Sequence, residues 1–120
     1  MGKKRAMMVG ALLAGPLLLA TSATPASAEV VVGQSLNPSN YNCGSNERTT
    51  GSETIYIGGV PVKQKAMIYR HCGSGTVRRR ADVIFDTDGK CMSIAAGKAI
   101  VIHQVYVLPT RTVYRSSKAC

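Results

Sequence analysis

Four cysteines, at positions 43, 72, 91 and 120 of a 120-residue chain, constrain the fold more than any other feature. An even count in a short exported chain reads as a disulfide framework. The intervals between them are 29, 19 and 29 residues. None is the close Cys-x-x-Cys spacing of a zinc site, so no metal is expected. Three pairings are open in principle. Joining Cys43 to Cys72 and Cys91 to Cys120 would close two loops of similar size, each bridge contributing roughly 3–4 kcal/mol in the chain-entropy model. A bridge through Cys120 also pins the last residue of the sequence, a position that otherwise frays.

The export that such a framework needs is written into residues 1–28. Met1-Gly2-Lys3-Lys4-Arg5 is a cationic head, Ala6 to Ala20 is an apolar run, and Ala26-Ser27-Ala28 supplies small residues at both positions a signal peptidase reads. The apolar run falls short of the about 20 residues a membrane span needs. Lys-Lys-Arg is not a twin-arginine signal, and no cysteine near Ala28 invites a lipid anchor. Cleavage after Ala28 takes 28 of 120 residues and leaves 92. It also removes Lys3, Lys4 and Arg5, so the 15 basic residues fall to 12 against 6 acidic ones, a net charge of +6. The mature product is expected to be extracellular, off the membrane and monomeric. A core of that size is small and benefits from covalent staples.

Residues 29–54 are rich in Ser, Thr, Asn and Gly, and 29–42 read as a flexible N-terminal arm, with Val30-Val31-Val32 a candidate short strand. Residues 43–120 form the domain. Ile55-Tyr56-Ile57 is a strand end before a Gly58-Gly59 turn, and Pro61 suggests an edge position because it cannot donate to a ladder. Alternation from Val62 to Cys72 puts Gln64, Ala66 and Ile68 on one face and Lys65, Met67 and Tyr69 on the other. Thr76–Phe85 is the next strand, with Arg79 awkwardly on its apolar face. A hairpin turn at Asp86-Thr87-Asp88-Gly89 leads to a strand at Cys91–Ala95. Ala99–Leu108, nearly all apolar or β-branched, is a central strand covered on both faces, and Thr112–Ser116 is the last. Short strands, regularly spaced turns and no helical period predict an all-β, antiparallel β-sandwich, stapled by disulfides.

No catalytic motif stands out. Asp86-Thr87-Asp88-Gly89 starts like a calcium loop, but the twelfth position is Gly97 rather than Glu. Asp82, Asp86 and Asp88 could supply a carboxylate pair, although two of them sit in the turn. His71 abuts Cys72, which a bridge would remove as a nucleophile. His103, in the apolar strand, is the best single candidate for acid–base or ligand contact. Arg78, Arg79 and Arg80, with Lys63, Lys65 and Arg70, make a basic region. Arg78 and Arg80 share a face suited to an acidic partner. Nucleic acid is not expected, since stacking aromatics are sparse.

From Cys72 onward the chain resembles the tendamistat family of small secreted streptomycete α-amylase inhibitors. The resemblance rests on Thr76-Val77, Val83-Ile84-Phe85-Asp86-Thr87-Asp88-Gly89-Lys90-Cys91, Ala95-Ala96-Gly97 and Cys120. It implies a two-sheet sandwich, immunoglobulin-like in outline, with sequential disulfides. The loop between Cys43 and Cys72 is longer than the family's. The family's Trp-Arg-Tyr inhibitory triplet is absent, since the chain has no Trp. Amylase inhibition therefore does not follow. Cys43-Gly44, Tyr69-Arg70-His71-Cys72 and the two later cysteines also resemble a family of short exported actinobacterial proteins. Some of those are described as natural-product biosynthesis proteins.

Together these readings predict a secreted binding module without catalysis or cofactor, acting on a protein in the manner of an enzyme inhibitor. Tyr56, in the Ile55–Val62 hairpin, and Arg78 and Arg80 are its expected contacts. The alternative is an accessory protein or cyclase for a small-molecule metabolite. That role needs a concave apolar pocket, for which His103, Tyr106, Tyr69 and His71 are the expected lining.

Overall fold

The computed structural model describes residues 28–120, and the expected signal peptide, up to Ser27, lies outside the described residues. Seven strands follow in chain order: β1 (Ser35–Leu36), β2 (Gly44–Ile57), β3 (Val60–Arg70), β4 (Thr76–Val83), β5 (Met92–Ala95), β6 (Ala99–Val107) and β7 (Tyr114–Ala119). They pair antiparallel into a four-stranded sheet, β1-β6-β3-β2, and a three-stranded sheet, β5-β4-β7. The architecture is the small all-β sandwich that the pattern of strands and turns predicts. Among the described residues no helix is long and apolar enough to cross a membrane.

The two sheets enclose a core of Met67, Ala81, Val83, Ile94, Ile102, Val113 and Tyr114. A second cluster covers the outer face of the larger sheet, where Val30 and Tyr41 pack on Ala66, Ile68, Ala99 and Val101. Strands β3 and β6 are thus buried on both faces, which explains why Ala99–Val107 is almost continuously apolar.

Residues 29–42, whose composition suggests a flexible arm, provide that outer cover. The strand in this segment is Ser35–Leu36, paired with Ile100 and Ala99, rather than Val30–Val32. Gly33 N–H donates to the Val101 carbonyl at 2.7 Å, and Val101 N–H returns a bond to Gln34 at 3.0 Å. The buried Gln64 side chain acts as a substitute strand. Its carbonyl accepts from Val30 N–H at 2.9 Å, and its amide donates to the Val30 carbonyl at 2.7 Å. Its remaining polar partners are the Thr50 hydroxyl and Gln104.

The longest departure from the sequence reading is β2, which begins at Gly44 rather than near Ile55. Its polar composition suits an edge strand, and its buried polar groups are satisfied: Asn46 donates to the carbonyls of Asn42 and Gly44. The β2–β3 hairpin turns through Gly58 and Gly59, at φ +58° and +80°, the left-handed pair a two-residue hairpin turn requires. Pairing of β3 to β6 starts at Lys63–Val107, so Pro61 has a neighbour strand on one side. The edge position that Pro61 implies is therefore local, and the strand as a whole is interior.

Strands β4, β5 and β6 are trimmed at their ends, whereas β7 starts two residues later than expected and runs on to Ala119. β4 stops at Val83, and Phe85 lies beyond it, exposed. Asp86–Gly89 belongs to a wider loop over 84–91, because β4 pairs with β5 only from Thr76 to Arg79 and with β7 from Arg79 to Val83. Arg79, the charge on an apolar face, lies over the Tyr69 ring at 4.9 Å and donates to the Ser117 carbonyl at 2.9 Å.

Cys43 pairs with Cys72 and Cys91 with Cys120. The first bridge closes the open end of the β2–β3 hairpin, beside the Gly44–Arg70 pair. The second ties the residues flanking β5 and β7, on either side of β4. Such bridges suit an oxidising, extracellular-type environment.

Replacing Gln64 with Leu leaves the Val30 amide and carbonyl without their partner. Denaturant unfolding is expected to show a loss of about 1–3 kcal/mol. Hydrogen exchange at Val30 and Val101 should accelerate beyond that global change.

Candidate functional site

A one-residue irregularity in the β3–β6 ladder shapes the most site-like feature of the molecule. Met67 pairs with His103 and Ile68 with Val101, so Ile102 is an extra residue on β6. Ala99 and Val101 pack in the outer cluster, whereas Ile100 and Ile102 pack in the inner core. Strict alternation would send His103 outward, after Val101. The bulge keeps it on the inner side, the re-aiming that such insertions produce.

There His103 meets a groove of about 170 Å³ at the end of the sandwich where β4 gives way to its loop. Val83, Val105, Val107 and Val113 form its walls, with Phe85, Asp86, Arg111 and Thr112 around the mouth. The Arg111 guanidinium stacks on the exposed Phe85 ring at 4.7 Å.

The imidazole is held from two sides. Its Nδ1 lies 2.8 Å from the Tyr114 hydroxyl, with the rings edge-on. That hydroxyl donates to the Lys65 carbonyl at 3.2 Å, an acceptor that has no proton to offer. Assigned from this network, Nδ1 carries the ring proton and Nε2 is the bare acceptor. Nε2 has no hydrogen-bond partner among the described residues. Against the Cδ2 edge sits buried Gly89, where an added Cβ would stand 3.1 Å from Cδ2 and 3.3 Å from the Ala81 backbone nitrogen. A side chain at the end of the Asp86–Gly89 turn would therefore crowd the ring and the Ala81 backbone, which would have to give by a few tenths of an ångström.

Burial holds the His103 pKa below its ordinary 6.5, opposed by the negative charge of Asp86. Burial also raises the Tyr114 phenol far above its usual range. Both groups are neutral at pH 7.

The other expected site residues are dispersed. His71 is buried in the turn after β3. Its Nε2 contacts the Ser74 and Gly75 carbonyls at 3.2 and 3.1 Å, and its Nδ1 accepts from Gly73 N–H. Tyr69 lies under Arg79. Tyr106 follows Val105 onto the other face of its sheet, where the Glu29 carboxylate, ahead of partial burial, raises its pKa. Four residues expected to line one pocket thus contribute one, His103. Asp82 and Asp88 are engaged by Arg115 at 2.9 Å and by Lys118, respectively. Hydrogen bonds from Lys118 and then from the Val83 amide lower the Asp88 pKa. Arg78 and Arg80 remain on the outer face of the smaller sheet, with Lys118 opposite Arg80. Tyr56 stands at the tip of the β2–β3 hairpin, 68% exposed, with exposed Ile57 and Val60 beside it.

Tyr114, Arg111 and the valine walls escape sequence reading. The glycine that ends Asp86–Gly89 and the apolar stretch around His103 are the sequence signals that lie nearest to them.

Comparison with known proteins finds no match for this chain among family models, curated proteins or solved structures.

The depressed His103 pKa carries a sign. The unfolded chain protonates near 6.5 while the folded imidazole resists, so the stabilisation is full above 6.5 and declines as pH falls toward the folded value. Denaturant unfolding from about pH 8 to pH 5 should show this decline. His103→Gln should flatten it. Tyr114 contacts the ring, and Asp86 and Arg111 line the same groove.

Proposed function

We propose that the protein is a secreted, disulfide-stapled binding module that docks onto another secreted protein as an inhibitor does, without chemistry of its own. The β2–β3 hairpin supports this reading. It runs past the end of β6, is tied at its base by Cys43–Cys72, and presents Tyr56, Ile57 and Val60 at its tip. A hairpin already ordered in the free protein loses little entropy on docking. Exposed aromatic anchors of this kind dominate binding energy at protein interfaces. Arg78 and Arg80, which form no salt bridge among the described residues, would steer an acidic partner, since Asp82 and Asp88 are paired with Arg115 and Lys118. The absence of the Trp-Arg-Tyr triplet argues against α-amylase as the target.

A second role, as an accessory protein or cyclase in natural-product biosynthesis, draws support from one feature, the half-open groove at His103.

Native mass spectrometry of the mature protein recovered from its own culture medium is expected to show a protein-sized adduct. Tyr56→Ala should weaken that complex about tenfold or more with no loss of thermal stability, because the side chain is exposed. Absence of any complex with a secreted hydrolase, or a complex indifferent to Tyr56, would overturn the inhibitor reading.

A further inference from the structure

We propose that the groove beneath the β6 bulge binds an uncharged, single-ring hydroxylated aromatic, a molecule the size of phenol, whose hydroxyl donates to His103 Nε2. The site rests on neither reading of the protein's role.

Volume sets the size of the ligand. A cavity of about 150 Å³ with apolar walls holds one benzene ring, and this half-open groove offers about 170 Å³. Four valines supply walls that gain from covering an aromatic ring and offer it no hydrogen bond.

The imidazole sets the chemistry. With Nδ1 assigned the ring proton, because the Tyr114 hydroxyl donates to the Lys65 carbonyl, Nε2 accepts and does not donate. Gly89 packs against the ring edge and Met67 stands opposite on β3, so the imidazole is fixed before any ligand arrives. An acceptor with no hydrogen-bond partner among the described residues, on a ring that lines an apolar groove, selects a ligand carrying O–H over its hydrocarbon analogue. The mouth sets the charge. Arg111 and Asp86 lie there together and offset each other, so neither sign of ligand charge is favoured. The valine walls offer a charged group no partner, so a neutral ligand avoids the cost of its desolvation.

The test uses the full disulfide-bonded protein with phenol and toluene as probes. Affinities are read by calorimetry and by the His103 ring resonances in NMR. Phenol is expected to shift those resonances saturably. In His103→Phe the phenol-to-toluene affinity ratio should fall roughly 3- to 10-fold, the value of one neutral hydrogen bond. Tyr114→Phe, which frees Nδ1 and lets the proton move to Nε2, should lower the same ratio. Val107→Trp, which fills the groove from a half-buried wall position, should abolish binding of both probes and serves if His103→Phe does not fold. Tyr56→Ala should change nothing. No saturable shift at His103, or a ratio unchanged in both ring-network variants, would overturn the site.

Discussion

Strands β3 and β6 are buried on both faces, and the rest of the molecule is arranged to cover them. One face of the pair is met by β4, β5 and β7 across the inner core, the other by residues 30–41. Fully buried isoleucines occur on both sides, Ile102 inward and Ile68 outward, each contributing about 1.5–3 kcal/mol relative to exposure. A mature chain this small reaches such burial by recruiting a segment with little apolar character of its own. Val30 and Tyr41 supply the cover, and backbone pairing through Gly33, Gln34 and the side chain of Gln64 holds it in place.

The disulfides divide the work differently from the core. Each bridge stays within one sheet, so neither holds the sheets face to face. That contact falls to apolar packing and to a few polar links across the gap. Tyr114 reaches the Lys65 carbonyl, Ser45 meets Ser117 at 2.6 Å, and Arg79 stacks on Tyr69. Packing of this kind closes one end of the sandwich and leaves the other open, where β4 ends at Val83 and the loop over 84–91 carries Phe85 out to solvent. The groove is a consequence of that early ending together with the β6 bulge.

Much of the architecture was legible because strand physics is local. Period-two alternation marked β3, continuous apolarity marked β6 as covered on both sides, and Gly58-Gly59 marked its turn. The cysteines announced a stapled fold, and the sequential pairing implied by family resemblance is the one found. The first eleven residues of β2 were not legible, because an edge strand needs little apolarity and Thr50 satisfies its buried hydroxyl through Gln64, 14 residues away. Arg79 looked misplaced for the same reason: its partners, Tyr69 and Ser117, are 10 and 38 residues away in the chain.

For the candidate site the boundary is sharper. His103 stood out in the sequence as a lone imidazole in an apolar strand, and the exposed hairpin tip with Tyr56 was readable from its turn. Sequence alone determined the all-β class, the stapled framework and the glycine turn of the β2–β3 hairpin, since composition and neighbour-to-neighbour periodicity govern these. Tertiary structure alone decided which way His103 faces, which tautomer it holds and what stands around it. A single inserted residue reverses every later side chain in a strand, and no local pattern records where a ladder slips by one. The Tyr114 hydroxyl, the Gly89 close approach and the valine walls come from strands and loops that meet only when the two sheets close.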